Sequence, residues 1–106
     1  MDGKEVSEFF QIYRKRGFEQ SINILFNAEN NEYLEKDFYN ELKAREMHLN
    51  DFYRSKDNLL KYSLIAYKLN EDYDKIIYLT EKGNDLKKLV DQINDLLKKK
   101  RKKSKK

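Results

Sequence analysis

Leu64-Ile65-Ala66-Tyr67-Lys68-Leu69, Asn70-Glu71-Asp72-Tyr73-Asp74 and Lys75-Ile76-Ile77-Tyr78-Leu79 are the three consecutive segments on which the reading of this chain turns. The first and third are short and rich in β-branched and aromatic residues, a composition that suits a pleated, half-buried surface. The second is polar. Two such runs joined by five polar residues predict a β-hairpin over 64–79. The flanks read differently. The 106 residues include no proline and three glycines, Gly3, Gly17 and Gly83, so little interrupts helices on either side.

Downstream, Thr80 is a side-chain cap for a last helix that starts at Glu81 and runs to about residue 97. Leu86, Leu89, Ile93 and Leu96 recur at spacings of three, four and three, and Val90 and Leu97 widen the stripe. This is an a/d seam over about two heptads. Residues 98–106 follow, from Lys98 to Lys106, with 8 of the chain's 23 basic residues and no acid. The remaining 15 bases in residues 1–97 face all 19 acids, so the body carries net −4 while the whole chain carries +4. The expected organisation is one folded domain over 1–97 and a disordered basic tail over 98–106. Such asymmetry suits an electrostatic tether to a polyanion.

Upstream, residues 51–62 form a helix with Asn50 or Asp51 as its N-cap and with Phe52, Ser55, Leu59 and Leu60 inward. Leu34, Phe38 and Leu42, spaced by four, predict a helix over 34–46. Phe18, Ile22, Leu25 and Phe26 predict another over 18–29, ended by the breaker pair Asn30-Asn31. Val6, Phe9, Phe10 and Tyr13 share a face of an N-terminal helix, closed by Arg14-Lys15-Arg16 and the C-cap Gly17. The fold class is therefore mainly α with a small β-hairpin.

Helix, helix, helix, hairpin, helix is the order of a winged helix-turn-helix domain, whose second helix-turn-helix element enters the DNA major groove. Leu60-Lys61-Tyr62-Ser63-Leu64-Ile65 and Ile77-Tyr78-Leu79-Thr80-Glu81-Lys82-Gly83-Asn84-Asp85-Leu86 resemble winged-helix regulators of the MarR-like class and related small archaeal DNA-binding proteins. The Leu-Thr-Glu-Lys-Gly turn is the more specific part, and the resemblance covers about residues 18–97. Ser63 stands where that class usually has glycine, and no glycine lies between Glu46 and Asn50. The resemblance implies that 51–62 is the recognition helix and 64–79 the wing.

With Phe52 and Leu59 inward, 100° steps put Asn50, Arg54, Asp57, Asn58 and Lys61 outward and Tyr53 at the boundary. Arg54 has the chemistry to read guanine or bind phosphate, and Asn58 to read adenine. Asp51 and Asp57 oppose phosphate. On the wing, Lys68 and Tyr73 are candidate contacts, although Glu71, Asp72 and Asp74 make the tip acidic and a purely structural wing is the alternative. In the tail, Lys98, Lys99, Lys100, Arg101, Lys102 and Lys103 supply affinity independent of sequence. A solubility tail or a localisation signal is the bland reading of that run. The Leu86–Leu97 seam either packs on the Val6–Tyr13 stripe of its own chain or joins it in a two-fold dimer. The dimer is preferred, with Val6, Phe9, Phe10, Tyr13, Leu86, Leu89, Val90, Ile93, Leu96 and Leu97 at the interface.

Other classes find little support. There is no cysteine, and His48 stands alone without metal-ligand spacing. No glycine-rich phosphate loop or nucleophile motif is present. No cofactor, small-molecule effector or membrane partner is expected, and the N-terminus lacks signal-peptide character. The expectation is a non-enzymatic, cytoplasmic, nucleoid-associated homodimer on double-stranded DNA, a transcriptional regulator with some sequence preference. An architectural DNA-coating protein and a protein–protein adaptor are the alternatives.

Overall fold

The hairpin forms where composition places it, as β2 (Ile65–Leu69) and β3 (Lys75–Leu79), with Leu69 opposite Lys75 and Ile65 opposite Leu79. Asn70 organises the turn: its Oδ1 accepts from the backbone N–H of Asp72 at 2.8 Å and of Asp74 at 2.9 Å, the local competition for backbone donors typical of Asn. A third strand, β1 (Glu32–Leu34), pairs antiparallel with β3, giving the order β1-β3-β2. The sequence reading missed it because three residues carry no measurable alternation. Tyr33 becomes a strand residue only because Ile77 lies opposite.

The computed structural model describes residues 7–104, with side chains through Lys98. Its helices are α1 (Glu8–Tyr13), α2 (Phe18–Phe26), α3 (Glu35–Ala44), α4 (Leu49–Lys61) and α5 (Glu81–Ser104), with a 3-10 turn at Glu29–Asn31. The fold is thus mainly helical with a small antiparallel sheet. Among the described residues no helix is long and apolar enough to cross a membrane. Val6 lies outside the described residues.

Several boundaries differ from the sequence reading, each for a local reason. α2 stops at Phe26 rather than residue 29, because Asn31 turns back to donate from Nδ2 to the carbonyls of Phe26 (2.9 Å) and Leu25 (3.3 Å). Gly17 does not cap the first helix. It is the N-cap of α2, at φ 91, and its N–H donates to Gln20 Oε1 at 3.2 Å. α4 begins at Leu49 with His48 as N-cap, so Asn50 and Asp51 sit in its first turn. α5 continues through Ser104, where a disordered tail is expected from composition. Lys and Arg are good helix formers, and cations suit a helix C-terminus.

α3 and α4 end alike. Glu46 (φ 61) and Ser63 (φ 60) adopt left-handed conformations one residue past the C-caps Arg45 and Tyr62. The N–H of Met47 reaches Leu42 O, and that of Leu64 reaches Leu59 O, both at 2.9 Å. These are Schellman closures, which favour glycine at the left-handed position. Glu46→Gly and Ser63→Gly are each expected to stabilise the protein by about 0.5–1 kcal/mol, the relieved left-handed strain less the entropy of an added glycine. Urea midpoints check this. An unchanged or lower midpoint in both would show that the left-handed backbone at these ends is not strained.

The core lies between the sheet and the helices. Phe18 and Leu25 of α2, Phe38 and Leu42 of α3, Phe52 and Leu59 of α4, and Ile77 of β3 have no solvent exposure. Phe52 meets Phe38 edge-on at 5.0 Å between centroids, a geometry preferred by aromatic quadrupoles. Leu60, expected inward, is 36% exposed, because the buried face of α4 is centred on Phe52, Ser55 and Leu59. Buried Ser55 donates to Arg16 O at 3.0 Å and so ties α4 to the turn before α2.

Candidate nucleic-acid interface

α4 is fixed by its buried face and therefore presents a defined outer one. Asn50, Tyr53, Arg54, Asp57 and Lys61 are exposed there, and Asn58 is half-buried. The Arg54 guanidinium is 78% exposed, 3.9 Å from an Asp51 carboxylate that is itself largely buried. The pair is loose, and so exposed an arginine gains little from it. Asp51 therefore turns away from the outer face on which its charge was expected to oppose phosphate.

The wing divides the remaining candidates. Strand register puts Glu32, Ala66 and Tyr78 on one sheet face with Lys68, and Tyr67, Ile65 and Ile77 on the other, inner face. Lys68 pairs with Glu32 at 2.9 Å and lies 5.1 Å from the centroid of the Tyr78 ring. A shallow depression beside it is lined by Glu32, Glu71 and Asp72. Lys68 is thus separated from the outer face of α4 by the sheet and surrounded by acids. Tyr73 stands at the tip, 81% exposed and at φ 66. An aromatic residue at a left-handed turn position is costly, and strain of this kind gathers at functional sites.

The inner side of the wing brings together residues that the sequence reading passed over. The ammonium groups of Lys75 and Lys56 lie 4.4 Å and 5.6 Å from the centroid of the Tyr67 ring, joining hairpin to α4. Lys75 also lies 3.7 Å from Glu35, which accepts a 2.9 Å hydrogen bond from the Tyr39 hydroxyl. Tyr39 in turn meets Tyr53 edge-on at 6.1 Å. Burial, with Glu35 and Tyr53 nearby, pushes the Tyr67 hydroxyl up to about 12, so it stays neutral and able to donate at ordinary pH. Burial and the bond to Glu35 raise Tyr39 as well. The sequence held a signal for Tyr67: the alternation that sends Ile65 inward sends Tyr67 the same way. Lys56 lies about 40° from Phe52 on the helical wheel, at the flank of the buried face, and the outward-face count passed it by.

At the termini, Tyr13 packs against Phe18 at 5.9 Å and stacks on Phe9 at 4.8 Å, while Phe10 is 62% exposed. Burial and Glu19 raise the Tyr13 hydroxyl. On α5, Val90 is buried and Leu86 packs against the core, which removes them from any face open to a partner. Leu89, Ile93, Leu96 and Leu97 remain about half exposed or more. Lys98 is exposed, and the side chains of Lys99, Lys100, Arg101, Lys102 and Lys103 lie outside the described set. Among the described residues no three His, Cys, Asp or Glu side chains are placed to hold a metal ion.

In comparisons with known proteins, no family profile matches the chain, and no curated protein and no solved structure is significantly similar to it.

Proposed function

We propose that this protein binds double-stranded DNA with sequence preference, as a dimeric transcriptional regulator of the winged helix-turn-helix type whose recognition helix is α4. The observation that carries the reading is the two-sidedness of α4: Phe52, Ser55 and Leu59 anchor it, while Asn50, Tyr53, Arg54 and Lys61 stay exposed. Strand β1 supports it too, since helix, strand, two helices, hairpin and helix follow one another in the winged-helix order. Arg54 and Asn58 are the base-reading candidates, and Lys61 and Tyr53 flank them. Lys56 and Lys75 add positive charge between helix and hairpin, and Tyr73 is the wing contact. Lys68 is dropped from the interface. The basic end of α5 supplies affinity without sequence information. On this reading the chain acts by binding rather than catalysis, needs no cofactor, and works at the nucleoid in the cytoplasm.

Selection from a random duplex library with the full chain, followed by anisotropy titration, tests the proposal. Arg54→Ala is expected to weaken binding to the selected site by about 10- to 100-fold, as loss of a bidentate base contact does, and to leave random duplex nearly unaffected. Tight binding without any enriched sequence would replace the regulator with an architectural protein. No duplex binding at all would leave the adaptor.

A further inference from the structure

We propose that α5 pairs with α5 of a second copy in the antiparallel direction, through Leu89, Ile93, Leu96 and Leu97. The inference deepens the dimeric part of the DNA-binding reading and rests on it. These four side chains form a stripe at spacings of four, three and one and stay 55%, 48%, 63% and 58% exposed, although Val90 on the same helix is buried. They are the part of the seam that the chain's own body leaves uncovered. A contiguous apolar stripe of this kind marks an interaction surface, and its near-heptad spacing suits another helix.

The distribution of charge along α5 identifies the partner and its direction. Residues 81–95 hold four acids (Glu81, Asp85, Asp91 and Asp95) against Lys82, Lys87 and Lys88, whereas residues 98–103 are six consecutive cations. Lys87 and Asp91 neutralise each other at 3.0 Å within the helix. A parallel pair would set six cations against six. An antiparallel pair centred near Ile93 sets Leu89 against Leu97 and lays each basic end beside the partner's Glu81 and Asp85, on a body of net −4 over residues 1–97. The helix is thus complementary in charge to its own reverse. Its length also fits. With the two-fold axis at Ile93, the two α5 N-termini lie roughly 36 Å apart along the helix at 1.5 Å per residue. Half-sites one DNA turn apart are separated by about 34–36 Å.

The chain has no cysteine, so introduced thiols report the direction directly. Full-length Leu89→Cys and a size-tagged Leu97→Cys are mixed, unfolded and refolded together, and oxidised gently. The antiparallel pair predicts that the mixed 89–97 disulfide exceeds the 89–89 and 97–97 products by roughly tenfold or more, since like positions would lie roughly 12 Å apart along the axis, beyond disulfide reach. Dominant 89–89 and 97–97 products would overturn the proposal. Sedimentation of the unsubstituted chain guards against a weakened variant: a monomer at tens of micromolar, or a dimer that none of these thiols nor Ile93→Cys can cross-link, overturns it as well. Duplex binding is titrated separately on the same proteins. An antiparallel dimer that ignores DNA would sink the functional reading and leave this one standing, and a DNA-binding monomer would do the reverse.

Discussion

Gly83→Ala is expected to lower the stability of the protein by about 3 kcal/mol or more, the upper range for overpacking at a site that cannot yield. Gly83 lies in the first turn of α5, and its N–H donates to the capping Thr80 Oγ1 at 3.0 Å. A β-carbon there would collide with the backbone oxygen of Leu64 and come within 2.5 Å of Leu79 Cδ1. Neither neighbour has room to retreat. Leu64 O accepts from both the N–H and the hydroxyl of Thr80, each at 3.0 Å, and Leu79 is buried in the sheet. The only relief is to move α5 outward, which takes Leu86 and Val90 with it. Urea unfolding measures the effect, with Lys82→Ala as an exposed control in the same turn, expected within about 0.5 kcal/mol of the parent. A Gly83→Ala midpoint equal to that of the control would mean that α5 does not dock as described. The same packing explains the Leu79-Thr80-Glu81-Lys82-Gly83 segment physically: Thr80 caps the helix and clamps the strand entry, and Gly83 lets the two approach.

Ending the chain at Leu97 is expected to have the largest effect on binding with little effect on folding. Every residue of the core precedes it, and the removed part contributes eight positive charges. Each phosphate neutralised on duplex DNA adds about −0.9 to the slope of log K against log salt, so the full chain should have a slope steeper by up to about 7. Between 50 and 200 mM salt a difference of that size corresponds to roughly 10³- to 10⁵-fold in affinity. Anisotropy on one duplex across a salt series compares the two chains. A shallower but measurable slope in residues 1–97 is the expected result, because Arg54, Lys56, Lys61 and Lys75 remain. Equal slopes would remove the basic end from the interface, and complete loss at every salt concentration would remove the body.

The binding surface was half legible in the sequence. Asn50, Arg54 and Lys61 follow from helical periodicity once Phe52 and Leu59 are taken as inward, and the structure exposes all three. Lys68 was misjudged because counting charges on a strand ignores which face they occupy. It sits with Glu32, on the side away from α4. The Tyr67, Lys56 and Lys75 cluster joins residues up to 19 positions apart, and no window along the chain contains that contact as a pattern. Gly17 was assigned to the wrong helix end because a left-handed glycine can close one helix or open the next. The choice depends on Gln20 and on the nearby Asp51 backbone, 2.9 Å from where a β-carbon would stand.

By itself the sequence determined the hairpin strands, the start of α5 at Glu81 and the inward faces of α2, α3 and α4. Each rests on local composition, capping or periodicity, which act within one element. Only the tertiary structure decided that 32–34 is a strand, that His48 rather than Asn50 or Asp51 opens α4, and that α5 leaves Leu89, Ile93, Leu96 and Leu97 uncovered. Those outcomes depend on which surfaces meet across the fold. A three-residue strand exists because β3 offers an unpaired edge, and a helix face stays open when the body beside it is too small to cover the whole seam.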